Sequence, residues 1–260
     1  MTTRMRQVIQ RDFNRLANCY ARTRRQKSIH EARAFVDWIR PGHGEAILDA
    51  ACGPGILART MAHAASRAFA LDISSNMVEF ARADSSSNDQ PFLAVGDVGN
   101  LPYATGSFDL VTCSYSFANF FEPLQVLREF ARVTRFGGRI AIIDVIAPSN
   151  HSQNFNFNCL EALRSHCYTH ALNRVEFLRL FEDARLKLSA LRIRRCRQHF
   201  NEWVRLSPAL TGRRSRKLRQ ALLKSFAGNE TGSHVQRTAE GYFVSYTTAW
   251  FLLCKDVRPN

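Results

Sequence analysis

Between Ala46 and Ala58 the chain reads Ala-Ile-Leu-Asp-Ala-Ala-Cys-Gly-Pro-Gly-Ile-Leu-Ala, and no other stretch restricts the fold as much. Ile47 and Leu48 form a short apolar run ending at Asp49, two glycines two residues apart follow, and an apolar helical pattern opens after Gly55. This predicts a strand, a tight loop and a helix. Glycine at 53 and 55 permits positive φ and lets a ligand approach the main chain, while the new helix presents N–H groups without intrahelical partners. Such a turn suits the polar part of a nucleotide-like ligand. Gly53, Gly55 and Ala58 also satisfy the glycine-x-glycine-x-x-glycine/alanine fingerprint, so a dinucleotide is the first competing ligand.

The flanks decide the fold class. After the turn, a helix through Leu57, Met61 and Ala65 leads to a second strand, Ala68 to Leu71, closed by Asp72. Asp72 lies nineteen residues beyond Gly53, near the spacing of about 20 at which a carboxylate from the next strand reaches ribose hydroxyls. Ser74 or Ser75 caps a helix through Met77, Phe80 and Ala81. A third strand, Pro91 to Val95, ends in Gly96-Asp97-Val98. Ligands of open parallel sheets bind at the C-terminal strand ends, so Asp49, Asp72 and Asp97 are expected around one crevice. The fourth strand, Phe108 to Ser114, runs into the aromatic loop Tyr115 to Phe121. Pro123 starts a helix that Gly137-Gly138 stop, and Arg139 to Ile146 read as a fifth strand buried on both faces.

The alternation specifies an α/β, doubly wound, mostly parallel sheet. Ahead of it lie an amphipathic helix over residues 4 to 20, with Val8, Ile9, Phe13, Leu16 and Tyr20 on one stripe, and a helix from Ser28 to Ile39. Both are placed to cover the ligand end of the sheet. After the fifth strand come a His-bearing insertion, Ala147 to Ala171, a helix from Asn173 to Ala184, and a sixth strand, Leu186 to Arg194. A basic helical stretch, His199 to Ala227, precedes a long β pattern, Gly241 to Cys254. A chain of 260 residues suits a single such domain with additions.

Charge and cysteines narrow the partners. Of the net +14, the excess lies outside the glycine turn: ten basic against three acidic residues in 1–42, eight against twelve in 43–173, and eighteen against seven in 174–260. A basic surface attracts nucleic acid, anionic lipid or acidic small molecules, and is also an ordinary solvated face. The seven cysteines are dispersed without a C-x-x-C pair, which argues against a disulfide framework and structural zinc and for a reducing, cytoplasmic setting.

With these residues in hand, the chain resembles the class I S-adenosylmethionine-dependent methyltransferases, in the ubiquinone/menaquinone-biosynthesis methyltransferase-like (methyltransferase type 11) group. The resemblance spans roughly Arg15 to Lys255 and rests on Leu48-Asp-Ala-Ala-Cys-Gly-Pro-Gly, Ala70-Leu-Asp-Ile-Ser, Gly96-Asp-Val-Gly-Asn-Leu-Pro, Ser107-Phe-Asp-Leu-Val and Phe136-Gly-Gly-Arg. It implies a seven-stranded Rossmann-like sheet with a final antiparallel strand and helical lids. Within one domain it implies cap helices over 1–42, a cofactor core over 43–146, and substrate lids over 147–172 and 197–238. It also implies S-adenosylmethionine as cofactor. The Asp49 to Gly55 loop, with Ala51 and Gly53, would hold the methionine part and Asp72 the ribose. Ile73 and Met77 would pack on adenine, Asp97 and Val98 would meet its edge, and Ser114 and Tyr20 would line the methionine end. The resemblance displaces the dinucleotide competitor, because Asp49 and the Gly96-Asp97 pair have no required counterpart there.

The substrate side departs from the family. Relatives carry a His-His pair where this chain has Ala118 and Asn119, and an Asp-Pro-Ser-His run where it has Ser165-His166-Cys167-Tyr168. Phe117, Asn119, His166 and Tyr168 are therefore candidates for contact with a small, partly apolar methyl acceptor. No metal ligands and no catalytic base are assigned, although His166 and His170, with Tyr168 and Tyr20 behind them, carry suitable groups. Two other readings compete. A nucleic-acid methyltransferase would use the basic ends, but the signature runs of amino and cytosine-C5 methylation are absent, and nucleic acid is set aside as a partner. A non-catalytic membrane-surface factor would use the basic amphipathic pattern of Gly212 to Gly228, which leaves peripheral membrane contact open.

Overall fold

The computed structural model describes residues 3–23, 25–63, 67–84, 90–165, 168–205 and 212–256. Two helices, α1 (Thr3–Thr23) and α2 (Arg25–Ile39), precede β1 (Ala46–Ala50). Then α3 (Ile56–Ala62), β2 (Arg67–Asp72), α4 (Ser75–Ala83), β3 (Phe92–Val95), β4 (Phe108–Ser114), α5 (Pro123–Val133) and β5 (Thr134–Ile146) alternate. Beyond them come α6 (His151–Arg164), α7 (Arg174–Asp183), β6 (Leu186–His199), α8 (Phe200–Arg205), α9 (Gly212–Gly228), β7 (Gln236–Thr238) and β8 (Gly241–Lys255).

The strands form one sheet in the order β3-β2-β1-β4-β5-β8-β6, with β7 paired to β8. β1 runs parallel to β2 and β4, β2 to β3 and β4 to β5, whereas β8 is antiparallel to β5, β6 and β7. The chain winds outward from β1 to β3 and then crosses to β4, so the switch point lies between β1 and β4, where α/β sheets open a crevice.

Local signals set the helix ends. Ser74 caps α4 by accepting from the Met77 amide at 3.1 Å, and Asn173 with Glu176 forms a reciprocal capping box at α7. Pro123 occupies the first turn of α5.

Burial divides by sheet face. One face packs Phe117, Phe130, Phe177, Phe181 and Phe251 beneath α5 and α7, and the other packs Phe35, Ile39, Met61 and Trp250 beneath α2 and α3. Each such side chain contributes about 1.5–3 kcal/mol. A third cluster, Leu160, Phe200, Trp203, Leu218, Leu222 and Val244, joins α6, α8 and α9 to the start of β8 as a cap. The apolar stripe of α9 is thus spent inside the protein: Leu218 is fully buried, Leu222 nearly so, and Leu223 is exposed. Among the described residues no helix is long and apolar enough to cross a membrane.

The sheet differs from expectation in three places. It has eight strands rather than seven, because Gln236–Thr238 turns back on β8 as a short hairpin arm. β6 continues past Arg194 to His199, pairing with β8 as far as Phe243; arginines on both its faces hide any apolar period that would mark its end. The helix before β5 stops at Val133, not at Gly137-Gly138. Those glycines sit inside β5, where the register slips between Phe108↔Thr134 and Leu110↔Arg139, Gly137 has φ of 72°, and a Cβ on Gly138 would fall 2.7 Å from Thr134 Cγ2.

Candidate active site

The turn after β1 is held by its own backbone and by β2. Ala51, Gly53 and Gly55 have φ of 58°, 52° and 73°. The Cys52 amide donates to Leu71 O at 3.1 Å and the Gly55 amide to Cys52 O at 3.0 Å. The two glycines serve different ends. A Cβ on Gly55 would lie 2.7 Å from Ala81 Cβ, so glycine there lets α3 and α4 approach, whereas a Cβ on Gly53 would meet nothing within 4 Å. Gly53 is open ground for a ligand.

Asp72 locks this turn to the next strand tip. Its Oδ2 accepts from the Gly53 amide at 2.8 Å and its Oδ1 from the Ser74 amide at 2.9 Å. Burial raises its carboxyl pKa, and the amides of Ser74, Gly53 and Ile73 oppose that rise. On the neighbouring tip, Asp97 Oδ1 accepts from the Gly99 amide at 2.8 Å, and Asp97 Oδ2 lies 2.9 Å from Arg6 Nε of α1. The same helix is tied to α4: Asn14 Oδ1 accepts from the Ser74 hydroxyl at 2.6 Å, and Asn76 Nδ2 donates to Asn14 O at 3.1 Å.

Gly53, Asp72, Asp97 and Arg6 face a cavity of about 240 Å³. Of the residues expected to touch ligand, Ala51, Gly53, Asp72, Ile73, Met77, Asp97, Val98, Ser114 and Asn119 line it. Asp49 and Gly55 do not. Asp49 is fully buried: its Oδ1 accepts from the Thr112 hydroxyl at 2.9 Å, its Oδ2 has no hydrogen-bond partner among the described residues, and burial pushes its pKa up to about 7. Two of the three strand-tip acids therefore reach the crevice.

The substrate-side candidates divide further. Phe117 turns into the core, 5.2 Å from Phe120, 6.4 Å from Phe130 and 5.4 Å from Phe177 by ring centroids. Its amide donates to Asp144 Oδ2 at 2.8 Å, which pulls the loop inward and points the ring away from the cavity. Asp144 is itself buried and, for that reason, pushed up to about 7. Tyr168 does not line the cavity. Its hydroxyl donates to Asn158 Oδ1 at 2.5 Å and accepts from the Ala171 amide at 2.8 Å, and burial raises its pKa. Next to it, the Thr169 amide and hydroxyl each donate to Ala118 O at 2.8 Å, so the insertion braces the loop after β4 from behind. His170 is half exposed, 3.5 Å from Glu176 Oε1. His166 and the side chain of Tyr20 lie outside the described residues.

Several cavity groups carried no sequence signal. Arg6, Glu31 and Tyr115 line it, and no described residue beyond Ile143 does. Ile9 and Phe13 of the predicted apolar stripe also line it, so part of that stripe faces the cavity. The arrangement can grip a ligand with a polar, hydroxyl-bearing end at the tips of β1 to β3 and an apolar end among α1, α2 and the loop after β4.

Comparison with known proteins agrees with this geometry. The family described as Methyltransferase domain matches residues 48–142, from the middle of β1 into β5. Demethylmenaquinone methyltransferase of Clavibacter sepedonicus is 32% identical over 140 residues, covering 52% of this chain and 57% of the relative. The 2-phytyl-1,4-naphtoquinone methyltransferase of Nostoc punctiforme is 33% identical over 156 residues, covering 56% of this chain and 68% of the relative. Across such relatives the chain spans between about half and two thirds of their length. Among solved structures, the YcgJ protein of Bacillus subtilis superposes with a TM-score of 0.80 at 19% identity, over 87% of this chain and 99% of the other, which shows a shared fold. The matched region is the one that carries the glycine turn, Asp72 and Asp97, and on that ground the chain belongs to the class I S-adenosylmethionine-dependent methyltransferase family, within its menaquinone-type group.

Proposed function

We propose that this chain transfers the methyl group of S-adenosylmethionine to a small, partly apolar acceptor related to the naphthoquinones that its relatives' names describe, taken in its reduced, quinol form. The observation that carries the reading is the Gly53–Asp72 hydrogen bond, which fixes an open stretch of main chain beside a carboxylate on one cavity wall. That wall suits an adenosyl group with an amino-acid tail. On this reading Ala51 and Gly53, with Gly55 and Asp49 shaping the turn from beneath, hold the methionine part, and Asp72 accepts from the ribose hydroxyls. Ile73, Met77 and Val98 pack on adenine, Asp97 meets its edge, and Ser114 and Tyr20 lie at the methionine end. Bound S-adenosylmethionine supplies an electrophilic methyl group. The chain supplies alignment and exclusion of water.

Segment 1–42 then serves as the cap over the cofactor core, 43–146. Segments 147–172 and 197–238 support the acceptor side, with Asn119 facing the acceptor and Tyr168 and Phe117 behind that wall. The partner is the small molecule itself, met from the cytoplasm. The exposed arginines of β6 and the polar face of α9 are where peripheral membrane contact would fall.

Calorimetry tests the cofactor assignment. S-adenosylmethionine should bind the wild type, and Asp72→Ala should weaken it roughly 10- to 100-fold, the cost of losing a hydrogen-bonded carboxylate. Equal affinity in the two proteins would remove Asp72 from the site. Methyl-labelled cofactor with 1,4-naphthoquinol, followed by product identification, tests the acceptor class.

A further inference from the structure

The strand tips follow one another across the cavity as Asp97 (β3), Asp72 (β2), the glycine turn (β1) and Tyr115 (after β4). Three inter-strand spacings, about 14 Å, separate the first tip from the last. If the adenosine end lies at β3 and β2 and the amino-acid end at β1, the fourth tip is where the methyl group meets its acceptor. This step rests on the function proposed above.

At that tip stands a pair of groups without a structural explanation. The Tyr115 hydroxyl donates to Glu31 Oε1 of α2 at 2.5 Å, and both residues line the cavity. Tyr115 is one of the few non-glycine residues with positive φ, at 54°, a conformation secured by its amide donating to Ile143 O at 2.8 Å. A tyrosine in the left-handed region costs free energy, and the loop accepts that cost to aim this ring along the cavity wall at Glu31. Ala32, Phe35, Ile56, Leu57 and Ile143 make the cavity wall around the pair apolar, and Tyr246 and Cys196 are the other titratable groups close to the phenol. Burial and the neighbouring Glu31 carboxylate both raise the phenol pKa, so the tyrosine stays protonated and its oxygen keeps an acceptor site.

We infer that Tyr115 and Glu31 form a proton relay that receives the hydroxyl proton of a phenol-type acceptor during methyl transfer. The acceptor O–H gives its proton to Tyr115 Oη while the Tyr115 hydroxyl proton passes to the Glu31 carboxylate. The electron pair released on the acceptor, at oxygen or at the conjugated ring carbon, forms the new bond to the methyl group; attack through carbon gives the keto tautomer, which regains the aromatic ring when its carbon proton moves to the carbonyl oxygen. The carbon–sulfur bond breaks with its electrons left on sulfur, which goes from sulfonium to neutral thioether. One proton ends on Glu31, and charge is conserved. Tyr115 is the catalytic group that touches the acceptor, and Glu31 acts through it.

The test separates this from the cofactor assignment. In protein loaded with S-adenosylhomocysteine, fluorescence titration should show 1-naphthol binding at least tenfold more tightly than 1-methoxynaphthalene, which has no proton to give. Tyr115→Phe and Glu31→Gln should erase that preference while S-adenosylhomocysteine affinity stays within threefold. With 1,4-naphthoquinol and labelled cofactor, both variants should lose about 100-fold or more in kcat with little change in cofactor KM, and Glu31→Asp should recover part of the rate. If Tyr115→Phe does not fold, Glu31→Gln carries the test alone. Retention of the naphthol preference, or kcat within threefold of wild type, overturns the relay. Loss of S-adenosylhomocysteine binding in these variants also overturns it and moves the pair to the cofactor cradle. If the wild type prefers 1-naphthol yet methylates no acceptor, the function proposed above fails while the hydroxyl-binding role of the pair stands.

Discussion

The β1–β3 half of the sheet and the cap built from α6, α8 and α9 are made by opposite means. In the first, the decisive contacts are short in sequence: Gly53 to Asp72 spans 19 residues, Arg59 to Asp84 spans 25, and Ser74 closes on Met77 three residues away. In the second they are long. Gln153 Nε2 donates to Asn229 O across 76 residues, Asn156 Nδ2 to Glu230 O across 74, and Leu160 packs with Leu222. A site assembled from neighbouring segments leaves its signature in consecutive residues; a wall assembled from distant ones does not.

The largest effect should come from a change that breaks the first region while sparing the second. Gly55→Val places a side chain into Ala81 at a φ of 73°, and the left-handed penalty plus overpacking should cost on the order of 3 kcal/mol or more in urea unfolding. Gly53→Ala meets no neighbour and should cost only about 1–2 kcal/mol for its backbone. It should nonetheless weaken S-adenosylmethionine at least tenfold, because the methyl group fills the ligand's ground. If both variants lost stability equally, the division of labour between the two glycines would be wrong.

Legibility follows the same divide. β4 was bounded correctly at Phe108–Ser114, and Asp72 and Asp97 were placed at strand tips, because an apolar run ending in an acid is written in adjacent letters. Glu31 and Arg6 were invisible: each sits on a helix whose docking over the sheet depends on tertiary packing, and a lone charge on an amphipathic helix normally faces solvent. Phe117 turns into the core rather than lining the cavity. Nothing in Tyr115-Ser-Phe-Ala-Asn-Phe-Phe121 has a period that says which ring turns inward, and a hydrogen bond from 27 residues away decides it. The Gly137-Gly138 pair has the look of a helix stop, yet here it kinks a strand.

A second effect, seen as a pH dependence, is carried by buried acid. Asp49 and Asp144 sit near pKa 7 in the folded chain because burial disfavours their charge, against roughly 3.9 when unfolded. Between those values the folded state binds more protons than the unfolded one. Their stabilising contribution is therefore full below about pH 4 and is lost as the pH rises to about 7. The thermal midpoint of the ligand-free protein should fall across that window and level off above it. Asp49→Asn keeps an acceptor for the Thr112 hydroxyl but cannot ionise, so its curve should be shallower. A slope identical to wild type would show that Asp49 is ionised in the fold.

The smallest effect should come from the far side of the comparison. Tyr168→Phe removes the hydroxyl that donates to Asn158 Oδ1 and accepts from the Ala171 amide, while leaving the ring in place. The Ala171 amide still has Asn158 Oδ1 at 2.8 Å as an acceptor, so no buried donor is stranded and the loss should be about 1 kcal/mol. What remains is a looser brace behind Ala118 and Phe120, whose carbonyls accept from Thr169. That loop lines the cavity through Asn119 and Phe120, but the glycine turn and Asp72 make no hydrogen bond to Tyr168, Asn158 or Thr169. The variant should therefore raise the acceptor KM a few-fold and leave S-adenosylmethionine affinity unchanged. Steady-state kinetics with each substrate varied in turn, beside calorimetry of the cofactor, would read both quantities. A shift in cofactor affinity as large as the shift in acceptor KM would mean that the two regions are mechanically one, because loosening the brace would then have moved the turn some hundred residues earlier in the chain.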